Sequence, residues 1–268
     1  HTGTLLAVIA FYHKKILALI KAFFGIVKDI LKGEFRLRKL SGDKNFTAMI
    51  IMGLLPLFLL FLPIAPGKMS IKDLAENLSD GSYIIIPGIF LLITSLLLSI
   101  GVKSYKMNAK NEIEKKSGKV FTKDKKSYIS VCDALLIGFT QFLAAVFPGL
   151  SRSGSTLSVG LMRGINKKTA LEYSFILGIP AVFAATLLEL KEAIQSGAIY
   201  DIDMVPVVVG MLVSAIVGFM AIKLFKWLLN TDKMNIFIIY TFVVGILTVI
   251  VGIVEIINKV NIFTGEQL

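Results

Sequence analysis

Cysteine is almost absent from the 268 residues. Cys132 stands alone at the start of an apolar segment, so no intrachain disulfide can form, and the redox compartment is not legible. Histidine is nearly as scarce, with only His1 and His13. Acidic residues are a minority too, 18 against 29 Lys and Arg, which leaves a net charge of +11. Such a surplus can mark a nucleic-acid binder, but here the basic residues fall in short stretches between apolar runs. Anionic lipid headgroups and the positive-inside bias account for that placement, so no nucleic-acid partner is expected. The first apolar run begins at once, with neither a charged leader nor a cleavage site. The start therefore resembles neither a signal peptide nor natural initiation, and further residues are expected upstream.

What the sequence has in abundance is apolar surface: 55% hydrophobic residues and a mean hydropathy of +0.78, far more than a soluble core of this size needs. The apolar residues cluster into runs such as 46–65, 83–101, 204–222 and 236–257, each near the ~20 residues that cross a bilayer. One integral membrane domain over residues 1–268, multi-pass and in contact with membrane lipids, is the expected organisation.

Charge orders the crossings. Nine basic residues lie between His13 and Lys44, nine between Lys103 and Ser127, three in Arg163–Lys168 and three in Lys223–Asn235. These stretches read as cytoplasmic. Lys68–Gly81 and Glu189–Asp203 together hold three basic and seven acidic residues and read as the opposite side. Spans over about 2–12, 46–65, 82–102, 169–188, 204–222 and 236–257 satisfy the alternation. They leave residues 128–162 entering and leaving on the basic side. Thirty-five residues are too few for two spans and a turn, so a re-entrant hairpin is expected, with arms at about 130–147 and 153–162. Pro148 ends the first arm, and Pro148–Arg152 forms a tip near mid-membrane. Non-helical backbone at that depth is tolerated only beside protein or a water-filled cavity, so the tip should line a site.

After the tip, Ser151, Arg152, Ser153, Gly154, Ser155 and Thr156 open the second arm. Backbone N–H groups, hydroxyls and a fixed positive charge thus converge at a helix N-terminus, the arrangement that holds a phosphate. Arg152 is the only basic residue inside an apolar stretch. Its burial costs at least ~2.5 kcal/mol, so a partner or an anionic ligand is expected. The competing role is structural: small residues for close packing, with Arg152 paired to a carboxylate or to backbone carbonyls. Glu172, one turn into its span, reaches either Arg152 or the interface. Asp133 and Glu255 read as interfacial or packing residues, and Gln141 as a neutral interhelical hydrogen-bond partner. A P-loop is excluded, because Gly149 is not followed at the required spacing by Gly-Lys-Ser/Thr. No Ser–His pair is visible in the hairpin for a serine hydrolase.

Gly138-Phe-Thr-Gln141, Pro148-Gly-Leu-Ser-Arg-Ser-Gly-Ser-Thr156 and Glu172-Tyr-Ser-Phe-Ile-Leu-Gly-Ile-Pro180 closely resemble the bacterial undecaprenyl-diphosphatase (bacitracin-resistance) family. The opening His1-Thr-Gly-Thr-Leu-Leu-Ala-Val is similar to that family's second membrane element, so the resemblance covers the chain from there on. It implies an all-α polytopic membrane protein of about six transmembrane helices plus a re-entrant helical hairpin. That is half of an inverted-repeat architecture, whose other hairpin, carrying paired glutamates and a Ser-Ser-x-Gly-His segment, is expected upstream of His1. It further implies hydrolysis of an isoprenyl diphosphate lipid in the bacterial cell membrane, at a site open to the outer face. A divalent cation, Mg or Ca, is implied as cofactor, with ligands not identifiable in this chain. By motif position, Ser151, Arg152 and Thr156 would be catalytic, while Gly149, Ser153, Gly154, Ser155 and Glu172 would bind substrate. A homodimer is compatible with the sequence. The competing functions are a transporter or flippase of an isoprenyl phosphate lipid, and an inactive fragment.

Overall fold

A computed structural model describes residues 2–37, 40–63, 69–80, 84–116, 128–197, 204–258 and 261. Arg38, Lys39, Lys68, the basic residues between 117 and 127, Asp201 and Asp203, all used in the charge argument, lie outside the described residues, as does His1 of the opening motif. The described chain is helical: α1 (Thr2–Leu31), α2 (Gly42–Leu54), α3 (Ile71–Asp80), α4 (Ile85–Lys116), α5 (Val131–Val146), α6 (Arg152–Met162), α7 (Lys167–Gln195), α8 (Met204–Asn230) and α9 (Met234–Asn258). A 3-10 stretch, Leu55–Phe61, continues α2, with Pro56 at its start. Six of these units are long and apolar enough to cross a membrane: α1, α2 with its 3-10 extension, α4, α7, α8 and α9. The chain is an all-α, multi-pass membrane protein.

Every expected span is present, and the structure changes their ends. α1 does not stop at Tyr12. The backbone leaves helical geometry there (φ −106°, ψ 18°) and resumes as helix to Leu31. α3, read from sequence as an acidic connection, is a ten-residue helix whose Ala75 packs with Phe142 and Val146 at the end of α5. Lys72 ties it to the end of α7 through Glu192 (2.9 Å), and the hydrogen bonds to Glu76 and Glu192 push the Lys72 ammonium pKa up.

Neighbouring spans approach closely where a side chain is missing. α4 and α9 run antiparallel. A Cβ at Gly88 would come 2.8 Å from the Val249 nitrogen, and one at Gly252 2.6 Å from the Ile85 nitrogen. α1 and α8 run parallel, Gly3 facing Met211 and Ser214, and Gly218 facing Ala7. At the basic end, Lys223 lies over Phe219 (5.1 Å), Lys226 over Phe11 (5.4 Å) and Lys167 over Tyr105 (5.4 Å). Lys167 also pairs with Asp232. These lysines mark one level across α1, α4, α7 and α8, where an aromatic face and a charge suit a membrane–water boundary.

The two arms expected at 130–147 and 153–162 are α5 and α6, 16 and 11 residues long, joined by a turn. Their bases are locked at the basic end. Ser130 and Asp133 form a reciprocal cap on α5, the Ser130 hydroxyl accepting from the Asp133 N–H while the Asp133 carboxylate accepts from the Ser130 N–H (3.2 Å). Arg163, just past α6, donates its Nε–H to the other Asp133 oxygen at 2.7 Å. Asp133, left open between interface and packing, is wholly buried in this clamp. Its carboxylate in turn pushes the Arg163 pKa up.

α4 fixes the turn between the arms. Phe90 stacks on Phe147 at 4.5 Å, and Thr94 accepts from the Ser151 N–H (2.9 Å) and donates to the Gly149 carbonyl (3.3 Å). Gly149 has φ +87°, and a Cβ there would collide with the Pro87 carbonyl oxygen. Gly149→Ala is therefore expected to cost about 1–3 kcal/mol or more, read as a clear fall in the thermal midpoint in detergent.

Candidate functional site

α6 begins at the turn. The Ser151 hydroxyl caps it by accepting from the Gly154 N–H (3.2 Å), which leaves the N–H groups of Arg152 and Ser153 without intrahelical partners. Arg152 and Ser153 line a half-open cavity of about 450 Å³ between α1, α6, α7, α8 and α9. Its walls are mainly apolar, from Leu5 and Val8 of α1 to Phe225 and Leu228 of α8. Ser174 and Gly178 of α7 also line it.

The Arg152 guanidinium lies against Gly178, where a Cβ would sit 3.5 Å from its central carbon. Gly178 is eleven residues, or about 16 Å, along α7 from Lys167 at the basic boundary, roughly half the ~30 Å apolar core. The charge is thus held at mid-depth. It forms no ion pair or hydrogen bond with any described residue. The structural alternative raised from sequence, a carboxylate or carbonyl partner for Arg152, is not realised. Ser174 adds a buried hydroxyl that also has no partner among the described residues.

The remaining motif residues stand elsewhere. Thr156 is fully buried and donates back to the Arg152 carbonyl at 2.7 Å, which stiffens the first turn of α6. Ser155 is fully buried on the packed side of α6. Gly154 lets α6 approach Thr94 of α4, at 3.4 Å for a built Cβ. Glu172 does not line the cavity; it lies within electrostatic reach of Tyr12 in α1. Ser174 is two positions on from Glu172, about 200° around a helix, so the two point to opposite sides of α7. Gln141, expected to hydrogen-bond between helices, is fully buried, and neither amide atom has a partner among the described residues.

Sequence reasoning missed Thr94, Ser174 and Gly178. Thr94-Ser95 is a polar pair inside an apolar run. Ser174 and Gly178 are four residues apart within the quoted Glu172–Pro180 segment, and so share one helix face. Those were the available signals.

At the cavity stand the Arg152 guanidinium and Ser153, beside the N-terminus of α6 whose first N–H groups lack intrahelical partners, donors of the kind a phosphate takes. The family model described as bacitracin resistance protein BacA matches residues 1–247. The chain belongs to this family. Similar curated proteins are called undecaprenyl-diphosphatase. The one from Methanosphaera stadtmanae is 35% identical over 95% of this chain and 83% of its own length. Those from Methanobrevibacter smithii and Desulforapulum autotrophicum are each 31% identical, over 92% and 95% of this chain and 80% and 83% of theirs. None of the residues named at the cavity is a carboxylate or imidazole, and among the described residues no three His, Cys, Asp or Glu side chains gather to hold a metal. These residues do not fit the divalent cation that the resemblance implies.

Proposed function

We infer that the chain hydrolyses undecaprenyl diphosphate to undecaprenyl phosphate, recycling the lipid carrier of cell-wall synthesis in the plasma membrane. Family membership and the names of its relatives support the reaction. The observation that carries the site is the unpaired guanidinium of Arg152, held at mid-depth over an apolar cavity.

In the reaction a water oxygen bonds to the terminal phosphorus while the bridging P–O bond breaks. The lipid monophosphate leaves, and inorganic phosphate is released. Negative charge on the transferring phosphoryl group and the bridging oxygen must be stabilised, and Arg152 does this without reorganising. The Ser153 hydroxyl and the N–H groups of Arg152 and Ser153 donate to phosphate oxygens. Ser151 keeps the first turn of α6 in place and retains its hydroxyl proton for the same purpose. Thr156 fixes the Arg152 backbone, and Ser174 supplies a further donor from α7. Gly149 and Gly154 let the turn and α6 sit close to α4. The α5–α6 hairpin enters and returns on the basic side, so this cluster stands inside the bilayer where the isoprenyl chain is also soluble.

Release of inorganic phosphate from a C55 or C15 isoprenyl diphosphate by the gene product tests the reaction; no release above a blank overturns it. Gly178 offers a finer test. Gly178→Ala places a methyl at ordinary contact distance from the guanidinium and is expected to retain most activity. Gly178→Leu must displace the guanidinium, and a fall in kcat/KM of about a hundredfold is expected, the size of a misplacement of roughly 1 Å.

A further inference from the structure

Past its kink, α1 continues for nineteen residues on the basic side, and its course there is set by α2. Phe11 packs on Phe219 (5.5 Å) under Lys226, so Tyr12 is level with the lysines that mark the membrane boundary. Beyond it, Lys15 pairs with Asp43 (2.7 Å), and the Leu19 carbonyl accepts from Thr47 (3.4 Å). Gly25 faces Lys44, and Asp29 pairs with Lys44 (2.5 Å). Residues 15 to 29 cover about 21 Å of helix, yet these contacts fall on Asp43, Lys44 and Thr47, about 6 Å of α2. The second half of α1 therefore crosses the first turn of α2 transversely. Since α2 runs through the bilayer, that half lies along its surface.

The two sides of this segment differ in chemistry. Leu19, Ala22 and Ile26 are buried against the protein. On the far side Leu17, Ile20, Phe24 and Leu31 are 57, 48, 66 and 82% exposed and form one apolar stripe at helical spacing. Lys14, Lys21 and Lys28 recur every seven residues along the edge of that stripe. None of the three forms an ion pair or hydrogen bond among the described residues. A row of free positive charge beside an apolar stripe, lying in the boundary plane, is complementary to anionic lipid.

We propose that residues 13–31 form an in-plane helix that binds anionic phospholipid headgroups at the basic face of the membrane. Lys14, Lys21 and Lys28 meet the phosphates, and Leu17, Ile20, Phe24 and Leu31 sit among the acyl chains. The site is separate from the Arg152 cavity and does not depend on the reaction assigned there.

The test uses the whole chain in vesicles, with Trp227→Phe removing the native tryptophan and Phe24→Trp supplying a probe; Leu17→Trp serves as a second probe should the first fail to fold. The same mole fraction of brominated chains is carried by phosphatidylglycerol in one set of vesicles and by phosphatidylcholine in the other. Both lipids are expected to quench the probe, phosphatidylglycerol about two- to threefold more strongly, because the three lysines draw anionic headgroups to the stripe while exchange with other lipid dilutes the excess. The excess should vanish in about 0.5 M NaCl and in the Lys14→Gln, Lys21→Gln, Lys28→Gln variant. Equal quenching by the two lipids at low salt, or no quenching by either, overturns the proposal. So does quenching that falls as the protein-to-lipid ratio rises, because a second copy would then cover the stripe.

Discussion

Replacing Arg152 with alanine is expected to lower phosphate release from an isoprenyl diphosphate by about a thousandfold or more, the range found when an arginine facing a transferring phosphoryl group is removed. That is about 4 kcal/mol of transition-state stabilisation. Arg152→Lys should recover only part of it, since an ammonium keeps the charge but not the planar pair of donors. Stability should move the other way. The guanidinium has no partner among the described residues and sits about 16 Å inside an apolar core, so Arg152→Ala removes an uncompensated burial cost. An unchanged or raised thermal midpoint together with lost activity is the expected signature. A drop in both would mean that Arg152 is a structural residue.

The second large effect is expected at the base of the hairpin. Asp133 is wholly buried and receives the Arg163 guanidinium, the Ser130 N–H and the Ser130 hydroxyl. Asp133→Ala removes the partner of the Ser130 cap and the acceptor of Arg163; the Arg163 side chain is 40% exposed and returns to water, so a cost of about 1–3 kcal/mol is expected. Asp133→Asn keeps the shape and the acceptor for the cap while losing the charge, so it should cost less. Both should be read as thermal midpoints in detergent. Activity of the part that remains folded at low temperature should fall only modestly, because Asp133 is at the far end of α5 and α6 from Arg152. Equal stability of parent and alanine variant would show that the clamp contributes nothing.

Much of this architecture was legible in the sequence because the bilayer imposes simple rules. Apolar runs near twenty residues had to be spans, and the alternation of basic and acidic stretches forced residues 128–162 to turn back. Pro148 located that turn, which the structure forms at 147–151. What stayed hidden has physical reasons. Lys14, Lys15, Lys21 and Lys28 made the continuation of α1 look like a loop, since only a helix lying at an interface can combine such charge with apolar residues at 17, 20, 24 and 31. α3 is short and amphipathic, and its apolar side is meaningful only against Val146 and Phe142. The Asp133–Arg163 pair joins residues thirty apart, and Thr94 reaches the turn from 55 residues away. Neither contact is written in local pattern. At the site, the motif located the positive charge and the helix terminus but not which hydroxyls face the cavity. Thr156 and Ser155 are fully buried, whereas Ser174 lines Arg152's cavity from a different helix.

The most direct measurement is binding of a nonhydrolysable isoprenyl methylenediphosphonate to the folded parent and to Arg152→Ala, each checked for helicity. Binding weaker by at least about tenfold in the variant, the loss expected of a charge-assisted contact worth 1.5–3 kcal/mol, is the predicted result. Equal affinity in the two proteins would contradict the assignment of Arg152 as the residue that holds the diphosphate.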